Sequence, residues 1–298
     1  MKRNPLKWFL IFFAMLISIC AFISGKCLTF LGREQAIRDA LSQEIDYDQF
    51  RNIRIDKKHI DQIIKYRNRL VNKNPDYAGC IYIDDIGYLT FTMMVRDYDL
   101  RGKEVPNEKF FMSGIGRLSS TNTFRELYGY YQAIFSDIRY FPVPYMRKGA
   151  ANISYADTWY APRSYGGDRK HEGTDLMASN NLPGYFPIIS ITDGVVENMG
   201  WLEQGGYRVG IRSESGGYFY YAHLDTYAPG LKEGDTVIAG QLLGFMGDSG
   251  YGKEGTKGQF DVHLHLGIYV QTDRGEMSVN PYCILGLLEH SRTELIHN

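Results

Sequence analysis

The chain opens on a run of apolar positions, Trp8 to Gly25, in which no side chain is charged. As a helix these 18 residues span about 27 Å, enough to cross the hydrocarbon core of a bilayer. Lys2, Arg3 and Lys7 precede the run. The positive-inside rule then puts the N-terminus in the cytoplasm and everything after Lys26 outside. A cleaved signal peptide would have a shorter apolar core and a small-x-small site. Ile19-Cys20-Ala21 and Phe22-Ile23-Ser24 fit such a site poorly, and Lys26 before Cys27 fits a lipobox poorly. The expectation is an uncleaved single-pass anchor over residues 1–27.

The pattern then turns polar. Ile60, Ile63, Ile64 and Leu70 fall near helical spacing, which predicts a helix ending before Asn74-Pro75. Residues 80–95 read as two short strands around Asp84-Asp85-Ile86-Gly87. Residues 123–140 predict a helix that starts at a Thr123/Glu126 capping box. Phe124, Leu127, Tyr131, Ile134, Phe135 and Ile138 form its apolar stripe, which core packing explains better than a ligand groove. Pro142 and Pro144 end this segment and mark a boundary. Residues 28–144 are therefore expected to be a mixed, α+β extracytoplasmic stalk or regulatory region.

After the boundary, short runs punctuated by glycine replace helical spacing. Tyr207–Arg212, Tyr218–Ala222, Thr236–Ile238 and Gln259–Ile268 predict antiparallel strands. The expectation is a mainly β domain over residues 145–288, followed by a tail over 289–298.

Composition adds limits. Lys+Arg 33 against Asp+Glu 34 gives a net charge of −1. A nucleic-acid binder needs an excess of basic side chains, so that class is excluded. Four cysteines in 298 residues are too few for a disulfide scaffold. Cys27, Cys80 and Cys283 would lie outside the membrane, permitting one intramolecular bridge at most.

The candidate chemistry lies in the histidines. His171 and Asp175 are four apart, and a turn at Gly173 would bring both to one ion. On a strand, Asp261, His263 and His265 share one face and Val262, Leu264 and Leu266 the other. His223 ends the apolar run Tyr218–Ala222 after the Gly216-Gly217 turn. Each feature alone also has an ordinary structural explanation. His59, His290 and His297 lie outside the pattern and are expected at the surface.

Taken in order, the three histidine motifs resemble the lysostaphin-type, LytM-like zinc endopeptidases, which cut peptides of bacterial peptidoglycan. The resemblance covers roughly residues 150–285. It extends to Asp157–Arg163, Thr192–Glu197, Leu231–Val237, Gly240–Gly244 and Val279–Tyr282. It departs at Phe260-Asp261-Val262, where many members carry Gly-Pro, so the shape of the adjoining cleft is open.

The resemblance implies a β-sandwich or barrel-sandwich with one zinc per chain, bound by His171, Asp175 and His265. His263 would take the proton from the attacking water, and His223 would orient that water or stabilise the oxyanion. Asp261 would orient an imidazole. Trp159, Tyr160, Tyr165, Trp201, Tyr207 and Tyr221 are candidates for the groove, though packing explains most of them. The implied function is a membrane-anchored metalloendopeptidase acting on peptidoglycan peptides. Two alternatives remain at this point. One is a non-catalytic scaffold or activator of other wall enzymes, which filled ligand positions disfavour. The other is a lipoyl-like carrier or a sugar-phosphotransferase domain, which the membrane segment disfavours.

Overall fold

The computed structural model describes residues 5–146, 151–165 and 167–294. Lys2, Arg3 and His297 therefore lie outside the described residues. Helix α1 (Pro5–Ser42) runs through residue 27 without a break. Its apolar part is long and apolar enough to cross a membrane, with a mean hydropathy of 2.4 and none of that window buried. Its last turns are different: Ile37 and Ala40 are buried, and Arg117 grips Glu34 through contacts of 3.1 Å.

Helices α2 (Tyr47–Arg51), α3 (Lys57–Lys73), α4 (Asp85–Met94), α5 (Glu108–Leu118) and α6 (Asn122–Phe135) complete a helical region. Asn74 caps the C-terminus of α3, where the sequence places the stop. Three local expectations are corrected. Residues 85–94 are a helix rather than strand. Asp84 caps it by accepting from Gly87 N at 2.6 Å, and every residue from Gly87 to Met94 is buried. A helix buried on all sides has no 3.6-residue polar stripe, so its sequence reads like a buried strand. The cap of α6 is Thr121, which accepts from Phe124 N at 3.2 Å; Thr123 lies inside the helix. His59 is buried, not exposed. It closes a capping box with Asp56, and its Nε2 lies 3.2 Å from the Lys103 carbonyl. A carbonyl only accepts, so Nε2 carries the proton there.

The helical region packs on the β domain. One continuous apolar core joins the two. Asp137 accepts from both N and Oγ of Ser215.

The β domain contains β1 (Ile153–Tyr155), β2 (Pro162–Arg163), β3 (Arg169–Lys170), β4 (Thr174–Ala178), β5 (Pro187–Ile189), β6 (Gly194–Leu202), β7 (Gly206–Arg212), β8 (Tyr218–Tyr227), β9 (Thr236–Val237), β10 (Leu242–Met246), β11 (His263–Thr272) and β12 (Gly275–Val279), then α7 (Tyr282–Leu288). The main sheet runs β1-β4-β11-β8-β7-β6-β9, with β12 on β11 and β10 joining β5 to the end of β8. Its described pairs are antiparallel. Strand β8 pairs with β7 and β11 through its first part and with β10 from Leu224 onward.

Alternation sets the two faces of the sheet. Phe219, Tyr221, Leu264, Leu266, Val209 and Ile211 are buried on the core side. Tyr218, Tyr220, His263, His265, Tyr269 and Arg208 line a groove on the other. Strand β11 starts at His263, four residues later than the sequence pattern suggests, because residues 259–262 form an irregular approach.

Candidate metal centre

Strands β4 and β11 set Asp175 directly opposite His265 in register. Asp175 Oδ1 lies 2.9 Å from His265 Nδ1 and 3.0 Å from His171 Nε2. The two imidazole nitrogens are 3.1 Å apart. Three donor atoms of a tetrahedral zinc site, each about 2.0–2.2 Å from the ion, would stand about 3.3–3.6 Å apart. The cluster is a few tenths of an ångström tighter than that, with the right donor types.

The surroundings orient each donor. His171 is 2% exposed, and its Nδ1 lies 3.2 Å from the Thr158 carbonyl and 2.9 Å from Thr158 Oγ1. Donation to that carbonyl puts the proton on Nδ1 and leaves the Nε2 lone pair for the cluster. Arg163 Nη2 holds the second carboxylate oxygen, Asp175 Oδ2, at 2.5 Å. Only Oδ1 then faces the imidazoles. Gly173 makes the turn possible, since a Cβ there would lie 2.6 Å from His265 Nε2.

Burial alone would raise the pKa of Asp175. The adjoining His171 and His265 outweigh it and hold the carboxyl well below the usual range. Burial pushes His265 down, against the pull of Asp175. A deprotonated carboxylate and neutral imidazoles are the forms that bind a cation.

Two more imidazoles stand beside the cluster. His263 Nε2 is 3.8 Å from Asp175 Oδ1, and its Nδ1 is 2.7 Å from the carbonyl of Asp261. His223 Nδ1 is 2.8 Å from the carbonyl of Ser249. The two rings are 4.7 Å apart. Burial lowers the pKa of both, His223 strongly. Each therefore sits neutral, with Nδ1–H donated to a carbonyl and Nε2 left as an acceptor.

His223 owes its position to a β-bulge. Tyr207 pairs with Leu224 and Val209 with Tyr221, so Ala222 and His223 together face Arg208 alone. Strict alternation from Tyr218 would aim His223 at the core. The extra residue, at φ +63°, turns it into the groove. Ser249 fixes the bulge. Its hydroxyl donates to the Leu224 carbonyl at 2.6 Å and accepts from Tyr207 N at 3.0 Å.

The structure thus brings together all five of the site residues read from the sequence. Asp261 differs from its expected role. It lies outside β11, its carboxylate accepts from Asn181, and its backbone carbonyl is what meets His263. The groove aromatics also differ. Tyr221 is fully buried on the opposite face, where its hydroxyl accepts from Ile191 N. Trp159 and Tyr160 stack against Arg51. The rings that enclose the two free imidazoles are Phe260 and Tyr251, with Tyr165 stacked on Tyr251 at 4.1 Å. Phe260 is the residue at which the sequence departs from Gly-Pro.

Sequence reading missed Arg51, on α2. It donates to Glu172 at 2.8 Å, to Ser278 O and Oγ at 2.8 and 2.6 Å, and to Tyr160. Asn280 N donates to the Arg51 carbonyl at 2.7 Å. The four cysteines are free, with Cys20, Cys27 and Cys80 exposed, so the possible bridge is not formed.

Comparison with known proteins agrees with this geometry. Residues 169–281 match the profile of peptidase family M23. An L-Ala–D-Glu endopeptidase of Bacillus subtilis (strain 168) is 45% identical over 142 residues, which are 48% of this chain and 41% of that protein. The glycyl-glycine endopeptidase ALE-1 of Staphylococcus capitis is 32% identical over 83 residues, 27% of this chain and 21% of its own. The chain thus spans less than half the length of either curated relative. A crystal structure from Ruminococcus gnavus, described as a candidate glycyl-glycine endopeptidase LytM, is 38% identical. It superposes with a TM-score of 0.69 over 90% of this chain and 99% of that one. The similarity therefore reaches beyond the β domain into the helical region.

Proposed function

The chain belongs to peptidase family M23, and on that premise we propose that it is a membrane-anchored, extracytoplasmic zinc endopeptidase that hydrolyses peptide bonds of peptidoglycan. The observation that carries this reading is the convergence of His171 Nε2, Asp175 Oδ1 and His265 Nδ1 beside two neutral imidazoles that are not part of the cluster. Three protein donors leave a fourth position open, as catalytic zinc sites do. Zinc held there would polarise the scissile carbonyl and lower the pKa of water.

The chain's own groups have distinct roles. His263 Nε2, 3.8 Å from Asp175 Oδ1, takes the proton of the attacking water and returns it to the leaving amine. His223 presents an acceptor Nε2, so in its neutral form it orients that water; stabilising an oxyanion would require a donor. The Asp261 and Ser249 carbonyls keep both rings in the tautomer these roles need. Arg163 holds Asp175 Oδ2, so that Oδ1 would be the oxygen offered to the ion.

Residues 1–27 form the anchor in this reading, 28–144 the helical region and 145–288 the peptidase domain. Lys7 at the start of the apolar stretch supports a cytoplasmic N-terminus. The non-catalytic scaffold reading is disfavoured because both the donor set and the neighbouring imidazoles are complete. The test is mass spectrometry of purified peptidoglycan after incubation with the zinc-loaded protein. New amino termini within stem peptides or cross-bridges, absent after Asp175→Ala, are expected. An unchanged digest with stoichiometric zinc would favour the scaffold.

A further inference from the structure

The charged side chains of the groove are unequally matched. Arg163 is held by Asp175, and Arg169 bonds the Tyr165 carbonyl and the Tyr251 hydroxyl. Glu172 is held by Arg51 and Glu276 by Arg212. Arg208 differs. Its Nη1 is buried with no hydrogen-bond partner, no described carboxylate pairs with it, and its half-buried side chain lines the groove. A guanidinium partly removed from water needs an anion or several acceptors.

The position of Arg208 follows from the fold. It stands opposite the Ala222–His223 bulge on β7, and Ala222 is in register with His265 on β11. Two strand spacings, about 10 Å, separate its backbone from that of His265. An extended peptide advances about 3.3–3.6 Å per residue. A substrate lying across the strands would therefore bring a side group to Arg208 within about three residues of the bond being cut.

We propose that Arg208 binds a free carboxylate of the substrate close to the scissile bond, so that the preferred substrate is an acidic peptide rather than an uncharged glycine bridge. This rests on the peptidase reading above and deepens it. The groove holds a ready anion acceptor that a polyglycine segment would leave unpaired, and an unpaired buried donor discriminates against a ligand that lacks its partner.

The test uses the detergent-solubilised, zinc-loaded full chain and three peptides blocked at both ends. One is Ala-γ-D-Glu-Lys with the D-Glu α-carboxylate free, one is the same peptide with that group amidated, and one is pentaglycine. The expected kcat/KM for the free acid exceeds that for the amide by about tenfold or more, mainly through KM. Arg208→Gln should bring the ratio of acid to amide near one, and Arg208→Lys should restore part of it. Because the ratio is internal to each variant, a general loss of folding does not mimic the effect. A wild-type ratio near one, a preference for pentaglycine, or an unchanged ratio in Arg208→Gln would overturn the assignment while leaving the peptidase reading intact. Failure of the wild type to cleave any peptide or purified peptidoglycan would overturn both.

Discussion

Arg51 and Glu172 are 121 residues apart in sequence and form a 2.8 Å ion pair. Glu172 directly follows His171, so a helix of the N-terminal region holds the loop that carries one of the three clustered donors. The Arg51 side chain is 13% exposed, and its bonds to Ser278 and Tyr160 complete the lock. Arg51→Ala should lower stability by about 1–3 kcal/mol and weaken zinc binding by about tenfold. Thermal melting and competition with a chelator measure the two effects. Arg51→Lys keeps the charge but not the planar fork and should recover only part. Unchanged melting and affinity in Arg51→Ala would mean that the helical region does not support the site.

Gly173 offers a sharper test of the cluster. A methyl group at this position would collide with the His265 ring and with the Leu266 carbonyl of the same strand. Gly173→Ala should leave the fold intact by circular dichroism and reduce bound zinc from about one per chain to a small fraction. Full metal content in this variant would argue that His265 is not a ligand.

Ser249 tests the bulge. Its hydroxyl satisfies Tyr207 N and the Leu224 carbonyl, and its carbonyl holds His223. Ser249→Ala leaves two buried backbone groups without that partner, at a cost of about 1–3 kcal/mol. The expected kinetic signature is a fall in kcat with zinc content preserved. A loss of zinc in proportion to activity would instead place Ser249 under the metal cluster.

The buried histidines give the metal-free protein a pH dependence of definite sign. Burial lowers the pKa of His223, His263 and His265 in the folded state. Unfolding returns them to about 6.5. Below that value the unfolded chain binds more protons, so stability is fully present above about pH 6.5 and is lost as pH falls. Asp175, held low, acts in the same direction further into acid. The melting temperature of the metal-free protein should drop between pH 7 and pH 5, and His223→Gln should flatten the slope. A melting temperature that rises over the same interval would contradict the burial argument.

The site was more legible in the sequence than the scaffold that holds it. His263 and His265 declare their common face because a strand alternates, and Leu264 and Leu266 mark the other face. His171 and Asp175 need only the turn at Gly173. His223 is the exception within the site. Alternation along β8 aims it wrongly, and only the bulge opposite Arg208 corrects it. Such a bulge leaves no clear mark in composition. Helix α4 was misread because all of its sides are covered, and His59 because a buried capping histidine resembles a surface one. Arg51, Ser249 and Arg208 carried no local signal. Arg51 and Ser249 owe their importance to partners brought close by folding, and Arg208 owes its own to a buried Nη1 without one.

The central claim is that His171, Asp175 and His265 hold the metal while His263 moves the proton. Replacing His263 with alanine separates those roles most directly. The zinc-loaded His263→Ala protein should retain about one zinc per chain, and its rate of peptidoglycan cleavage should fall by a factor of about 10²–10⁴. Cleavage at the wild-type rate with zinc bound would contradict the account.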